Sequence, residues 1–162
     1  MKIPATGKRL KFTAWVQPQK APAVYIVPGL GAHRLGGTVL GLAELVYRAG
    51  YTVVSVSNPY NHEFMEHAST AAMPAYTPAK ASDLRSYAAG LRANPKIRII
   101  THRNDFLLPA EDLAWLQTLL SPEQLTLFES GGHLGNLAQP ATQKTILAAL
   151  EGLGARREAS HD

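Results

Sequence analysis

The chain has 162 residues, of which 46% are apolar and 17% charged, with a formal net charge of +4 and no cysteine. That length suits one domain able to bury roughly 70% of its unfolded surface, and the composition excludes disorder driven by self-repulsion. The missing cysteines exclude a disulfide framework, a thiolate zinc site and a cysteine nucleophile.

Basic residues cluster at Lys2, Lys8, Arg9 and Lys11 and again at Arg156 and Arg157. No stacking aromatics are interleaved with them, so they read as solvated termini and not as a nucleic-acid surface. No basic leader with an apolar core opens the chain, and no apolar run approaches about 18 residues. The expectation is a soluble, cytoplasmic protein with no membrane partner.

"KFTAWVQ" (11–17) alternates weakly and carries β-formers, which predicts an edge strand or hairpin arm. "AVYIVPG" (23–29) is a continuous apolar run, the pattern of a strand buried on both faces. The glycine-rich turn "PGLGAHRLGG" leads into a helix over about 39–49, with Val39, Leu42, Ala43 and Val46 on one face and Gly50 as its stop. "TVVSVSNP" (52–59) predicts the next buried strand.

Residues 59–78 then lose any pattern, which predicts a long loop with low hydrogen-exchange protection. Thr77-Pro78 has the form of an N-cap and first helical residue, opening a helix through about 92 with Leu84, Tyr87, Ala88 and Leu91 facing inward. "KIRIITH" (96–102) predicts a third buried strand, and Pro109, Glu111 and Asp112 open a helix carrying Leu113, Leu116 and Leu120. "LTLFES" (125–130) predicts a fourth strand, and a helix over about 141–152 buries Ile146, Leu147 and Leu150. Strand–helix alternation predicts an α/β fold, a three-layer, mainly parallel, doubly wound sheet. One domain spans 1–154, and the polar tail 155–162 is expected to fray.

Ligands of such sheets gather beyond the C-terminal strand ends. Here those ends are "PGLGAHR", "SNPYNHE", "HRNDFLL" and "SGGHLGN". Asp105 follows one strand and His133 the next, so adjacent parallel strands would set both side chains on one rim. A carboxylate accepting from one ring N–H fixes the tautomer and leaves the other nitrogen as a base.

At these residues the chain resembles the α/β-hydrolase family. "IRIITHRNDFLLPAEDLAWL" is similar to the acid strand with its helix, and "LTLFESGGHLGN" to the last strand with its histidine loop. "AVYIVPGLGAHRLGGTVLGLAELVYRAGYTVVSVSNP" resembles the early strand, oxyanion turn, first helix and following strand. The resemblance covers about 21–60 and 80–152. It implies an ancestral serine hydrolase acting on an ester or amide, with Asp105 as orienter, His133 as general base and the backbone of Leu30 and Gly31 as oxyanion turn.

The family's G-x-S-x-G elbow is missing. Ser55 and Ser57 sit in a strand, Ser69 and Ser82 lack flanking glycines, and Ser86 reads as mid-helix. The nucleophile strand, its helix, the next strand and the lid look cut out between about 77 and 82. What remains makes a legal sheet in the order 2-1-3-4. The chain therefore reads as a truncated hydrolase-like domain, inactive for want of a nucleophile. Two other classes stay open: a non-enzymatic binding module for a small ligand, and a structural partner that pairs its uncovered surfaces with a second copy or another chain.

"GLGAHRLGG" lacks G-x-G-x-x-G spacing, so no dinucleotide cofactor is expected, nor any other. "HEFMEH" (62–67) sets its histidines five apart, against the four of a zinc-binding helix, so no metal is expected. His33 reads as solvated, His102 as a hydrogen-bonded structural residue, and Trp15 and Trp115 as core or half-buried aromatics.

Overall fold

The computed structural model describes residues 7, 9, 11–29, 31–58, 61–63 and 83–133, together with 137–158, of which 155–158 as backbone only. The expected loop over 59–78 lies outside the described residues apart from 61–63, as do the Thr77-Pro78 cap and Leu30. The chain divides into two compact units, Met1–Tyr76 and Thr77–Asp162. Each contains helices and strands in α/β alternation.

The first unit runs β1 (Phe12–Trp15), β2 (Ala23–Ile26), α1 (Gly37–Arg48) and β3 (Thr52–Val56). Its three-stranded sheet has the order β1-β3-β2. β2 and β3 pair in parallel, Val24 opposite Val53 and Ile26 opposite Ser55, and β1 adds antiparallel at the edge. α1 buries Val39, Ala43 and Val46, and Ile26 and Val53 are buried in the sheet. Gly50, at φ +94°, stops the helix as its position predicts. The side-chain amide of Gln17 donates to Tyr47 O at 2.6 Å and Tyr51 O at 3.2 Å, satisfying carbonyls at that helix end.

β2 departs from the expected burial on both faces. Ile26 is buried, but Tyr25 is 72% and Val27 64% exposed. The apolar run is continuous because of this exposed pair, and only the Val24–Ile26 side is packed.

The second unit runs through a 3₁₀ turn (Leu84–Tyr87), α2 (Ala88–Ala93), β4 (Ile99–His102), α3 (Ala110–Leu119), β5 (Leu125–Phe128) and α4 (Pro140–Glu158). β4 and β5 pair in parallel with Ile99 opposite Leu125 and His102 opposite Phe128. The predicted helix over 78–92 is described only from Asp83, whose carboxylate caps the 3₁₀ turn by accepting from Arg85 N–H at 3.0 Å. A 3₁₀ turn advances three residues per revolution, so Leu84 and Tyr87 stack on a side that the α-helical spacing does not foresee. Both are exposed, at 41% and 51%, whereas Leu91 is buried. α4 continues to Glu158, past the expected end near 152, and its Ile146, Leu147 and Leu150 are half-buried.

Leu91, Leu116, Leu119 and Leu120 form the core of this unit, with Ala88, Ile97, Ile99, Trp115 and Leu125 packed around it. Trp115 is half-buried, its ring covered by the Arg85 guanidinium at 4.7 Å from the centroid. Trp15 in the first unit is half-buried as well.

Gln124 ties the pieces together. Its amide donates to Leu91 O at 2.9 Å and Asn94 O at 3.0 Å, and its Oε1 accepts from Ser121 N–H at 3.2 Å. The side chain thus caps the end of α2 from the entrance to β5. Gln124→Met keeps the length and removes these bonds from a buried site, so it should cost about 1–3 kcal/mol in urea denaturation. A loss below about 0.5 kcal/mol would mean that the carbonyls find other partners.

Candidate functional site

β4 and β5 end side by side, and the loops leaving them carry the second unit's chemistry. After β4 the chain turns at once: Asp105 N–H donates to His102 O at 3.2 Å and Leu108 N–H to Asp105 O at 3.1 Å. After β5, Gly131 and Gly132 reverse the chain, Gly132 at φ +65°. Asn104 Oδ1 accepts from both of their N–H groups, at 2.9 and 2.8 Å. The Asn104 side chain thus braces the two loops against each other.

His133 is brought to Asp105 by this brace. Its Nδ1 lies 3.1 Å from Asp105 Oδ1 and 3.0 Å from Oδ2. The carboxylate is buried at 8% exposure, whereas the imidazole keeps 33% of its side chain exposed. Burial alone would raise the Asp105 carboxyl, but other groups outweigh it: the His133 hydrogen bond, the Leu107 N–H at 3.0 Å, and the fields of His133 and His102. Together they hold it below the usual carboxylate range. Phe106, 81% exposed, stands edge-on to the His133 ring at 5.6 Å between centroids. With Nδ1 turned to the carboxylate, Nε2 is the proton-accepting atom.

A cavity of about 360 Å³ opens beside the pair, with Asp105, His133 and His102 among its lining. Most of the remaining wall is aliphatic, from Leu108, Leu116, Leu137 and Ile146. His102 corrects its sequence expectation. It is buried at 7% exposure and stacked on Phe128 at 5.5 Å, but its Nε2 has no hydrogen-bond partner among the described residues.

In the first unit the glycine-rich turn is held by the loop after β3. Asn61 Nδ2 donates to Gly31 O at 2.8 Å and Asn58 Nδ2 to Pro28 O at 3.1 Å. Gly31, at φ +72°, directs its own N–H toward Asn58 Oδ1 at a long 3.4 Å. Leu30 lies outside the described residues.

Sequence reading missed a charged cluster beside this turn. Glu63 accepts from Arg34, from Ser57 Oγ at 2.9 Å and from His33 Nε2 at 3.0 Å, with Lys11 at 3.7 Å. Arg34 also reaches Thr13 Oγ1 at 3.0 Å. His33 is thus a member of an ion cluster, with 39% of its side chain still exposed. Burial pushes the Glu63 carboxyl up, but the Ser57 and Arg34 hydrogen bonds and the charges of Arg34 and His33 bring it below its ordinary value. Ser57, at the strand end where a nucleophile could be sought, is 1% exposed with its hydroxyl committed to Glu63. No spacing rule could have joined Glu63 to Arg34, which lies 29 residues away.

Among the described residues no cluster of metal-ligating side chains occurs, and no helix is long and apolar enough to cross a membrane. Comparison with protein-family models, curated proteins and solved structures gave no match.

The depressed Asp105 carboxyl stabilises the fold fully above its unfolded pKa of about 3.9 and loses that contribution as pH falls through its lower folded value. Urea midpoints taken from pH 6 down to pH 3 should therefore fall more steeply below about pH 4 in the wild type than in Asp105→Asn. Glu63, shifted in the same direction, leaves a residual slope in the variant. Equal slopes would show that Asp105 carries no such linkage.

Proposed function

We propose that the second unit is the acid–histidine part of an α/β-hydrolase-type acyl site, in a chain that has no serine elbow and so forms no acyl-enzyme. The observation that carries this reading is the buried Asp105 carboxylate holding His133 Nδ1 with both oxygens at the ends of parallel neighbours. Such a pair orients a base and stabilises its cation. In hydrolases that base activates a serine hydroxyl; the sequence holds no G-x-S-x-G to supply one. The pair and its aliphatic cavity then serve to hold a small neutral acyl compound, and His133 is left with water as its only acid–base partner.

The proposal includes a four-stranded core in the spatial order β3-β2-β4-β5, which is the order 2-1-3-4 when the four buried strands alone are numbered. Its two outer pairs, β3 with β2 and β4 with β5, are parallel. It also includes the oxyanion role of the Leu30–Gly31 turn, a cytoplasmic location, a second copy of the chain as an admissible partner, and no cofactor. A second reading, a binding module unrelated to hydrolases, draws on the cavity alone, which is at the small end of the 300–1,000 Å³ usual for ligand sites.

A fluorophosphonate probe should label no serine, and p-nitrophenyl butyrate should show no saturable turnover. Hexanamide should nevertheless shift the His133 imidazole resonances saturably. A silent His133 would remove the hydrolase-type site and leave the binding module. Stoichiometric serine labelling with turnover lost in His133→Ala would show instead an active enzyme, whose nucleophile should be sought first at the exposed Ser130.

A further inference from the structure

In the first unit, α1 packs on one face of the three-stranded sheet, against β2 and β3. The registers fix which side chains share the other face, because directly paired residues point to the same side. Phe12 stands opposite Val56 and Ala14 opposite Val54 across β1 and β3. Tyr25 stands opposite Val54 and Ala23 opposite Thr52 across β2 and β3. Carried one residue further, these registers make a grid of three rows. Phe12, Val56 and Val27 form the first row, and Ala14, Val54 and Tyr25 the second. Val16, Thr52 and Ala23 form the third. Phe12 is 48%, Val16 68%, Tyr25 72% and Val27 64% exposed, whereas Ile26, Val53 and Ser55 on the α1 side are buried.

A sheet with one face in water normally alternates apolar with polar residues. The outward rows here hold no charged side chain, and only Thr52 and Tyr25 carry a hydroxyl. The ion cluster belongs to the opposite side: Thr13, which alternates with Phe12, bonds to Arg34, the partner of Glu63. Single exposed apolar side chains are ordinary, but contiguous patches of several hundred Å² mark interaction surfaces. The exposed parts of Phe12, Val16, Tyr25 and Val27 come to roughly 500 Å². The rows are also graded in size across the sheet. Tyr25 ends the row that Ala14 begins, and Ala23 ends the row that Val16 begins.

We infer that this face is a homodimer interface, in which two sheets pack face to face about a two-fold axis parallel to β3. Such an axis turns one sheet over without changing the level of its rows, so β1 of each copy lies over β2 of the other and β3 over β3. Tyr25 then covers the partner's Ala14, Phe12 meets the partner's Val27, and Val16 meets the partner's Ala23. Val54 meets its own counterpart at the axis. The grid is therefore self-complementary, large side chain over small. Its lack of charge lets two copies of a +4 chain meet without opposing like charges, and offers a charged partner nothing to pair with. Each copy buries on the order of 600 Å², about 1,200 Å² in the pair, the lower limit of specific interfaces. The inference gives the second copy admitted above a surface and does not rest on the acyl-site reading.

The test is sedimentation equilibrium of the full chain. Between about 1 and about 200 µM its mass should rise from the 17.5 kDa of one chain to twice that value. Tyr25→Lys and Ala14→Asp each bury an unpaired charge in the contact and should weaken association about a hundredfold. Mixed in equal amounts, the two variants set the new ammonium over the new carboxylate at one Tyr25–Ala14 contact and leave the other as in the wild type. The dimer mass should then return. If either variant fails to fold by circular dichroism, the wild type decides: a mixture of isotope-labelled and unlabelled chains should show intermolecular contacts from the Tyr25 ring to the Ala14 methyl. A monomer throughout the range overturns the inference, whether the face is then covered by another part of the chain or meets lipid or a different protein. A dimer that both variants leave intact lies elsewhere and overturns it as well. Monomeric variants whose mixture stays monomeric overturn the two-fold alignment. Failure here is distinct from failure at His133: a monomer whose His133 responds to hexanamide keeps the acyl-site reading, and a dimer with a silent His133 keeps this one.

Discussion

A parallel strand pair brings like ends together, and the candidate site depends on that constraint. β4 and β5 run in register from Ile99–Leu125 to His102–Phe128, so the residues immediately beyond them emerge at the same level. An antiparallel pair would carry one of those loops to the opposite end of the strands. Asp105 and His133 are 28 residues apart in the chain and become neighbours because one crossover helix separates two parallel strands. The Asn104 side chain then converts proximity into fixed orientation by holding two successive glycine N–H groups.

The two depressed carboxylates show two ways of keeping a partly buried charge. Glu63 is surrounded by Arg34, Ser57, His33 and Lys11, and its charge is largely balanced by cations. Asp105 has hydrogen-bond donors and one imidazole, with no arginine or lysine paired to it among the described residues. The first arrangement is that of a structural cluster; Arg34 N–H and Ser55 Oγ extend it into the strand and turn. The second leaves its histidine partner one-third exposed beside a cavity, where the same electrostatics can act on something from outside.

The alternation of strands and helices was legible because its signals are local. Four-residue β-branched and aliphatic runs, Gly50 after α1 and the acidic first turn of α3 each depend on residues close in sequence. The Asp105–His133 pair was legible for a related reason: once parallel order is assumed, strand ends are neighbours. Burial was read less well. Tyr25 and Val27 are as apolar as a buried strand requires, and only tertiary cover distinguishes them from Ile26. Leu84 and Tyr87 follow helical spacing, but the 3₁₀ turn changes which side they occupy. Gln124, Glu63 and His102 were not legible in their roles. Each is defined by atoms from distant segments, and a capped carbonyl, a shared carboxylate oxygen or an unpartnered nitrogen leaves no periodic trace.

Each unit contains the same device, a strand, a helix and a parallel strand: β2, α1 and β3 in one, β4, α3 and β5 in the other. Neither ladder needs residues from beyond its own unit. The entropy of loop closure grows only slowly with loop length, and each device closes one modest loop. Parallel pairing is ordinarily slow to form because it joins distant segments. Here each pairing spans a single crossover, so either half of the chain can nucleate its own sheet without waiting for the other to be made.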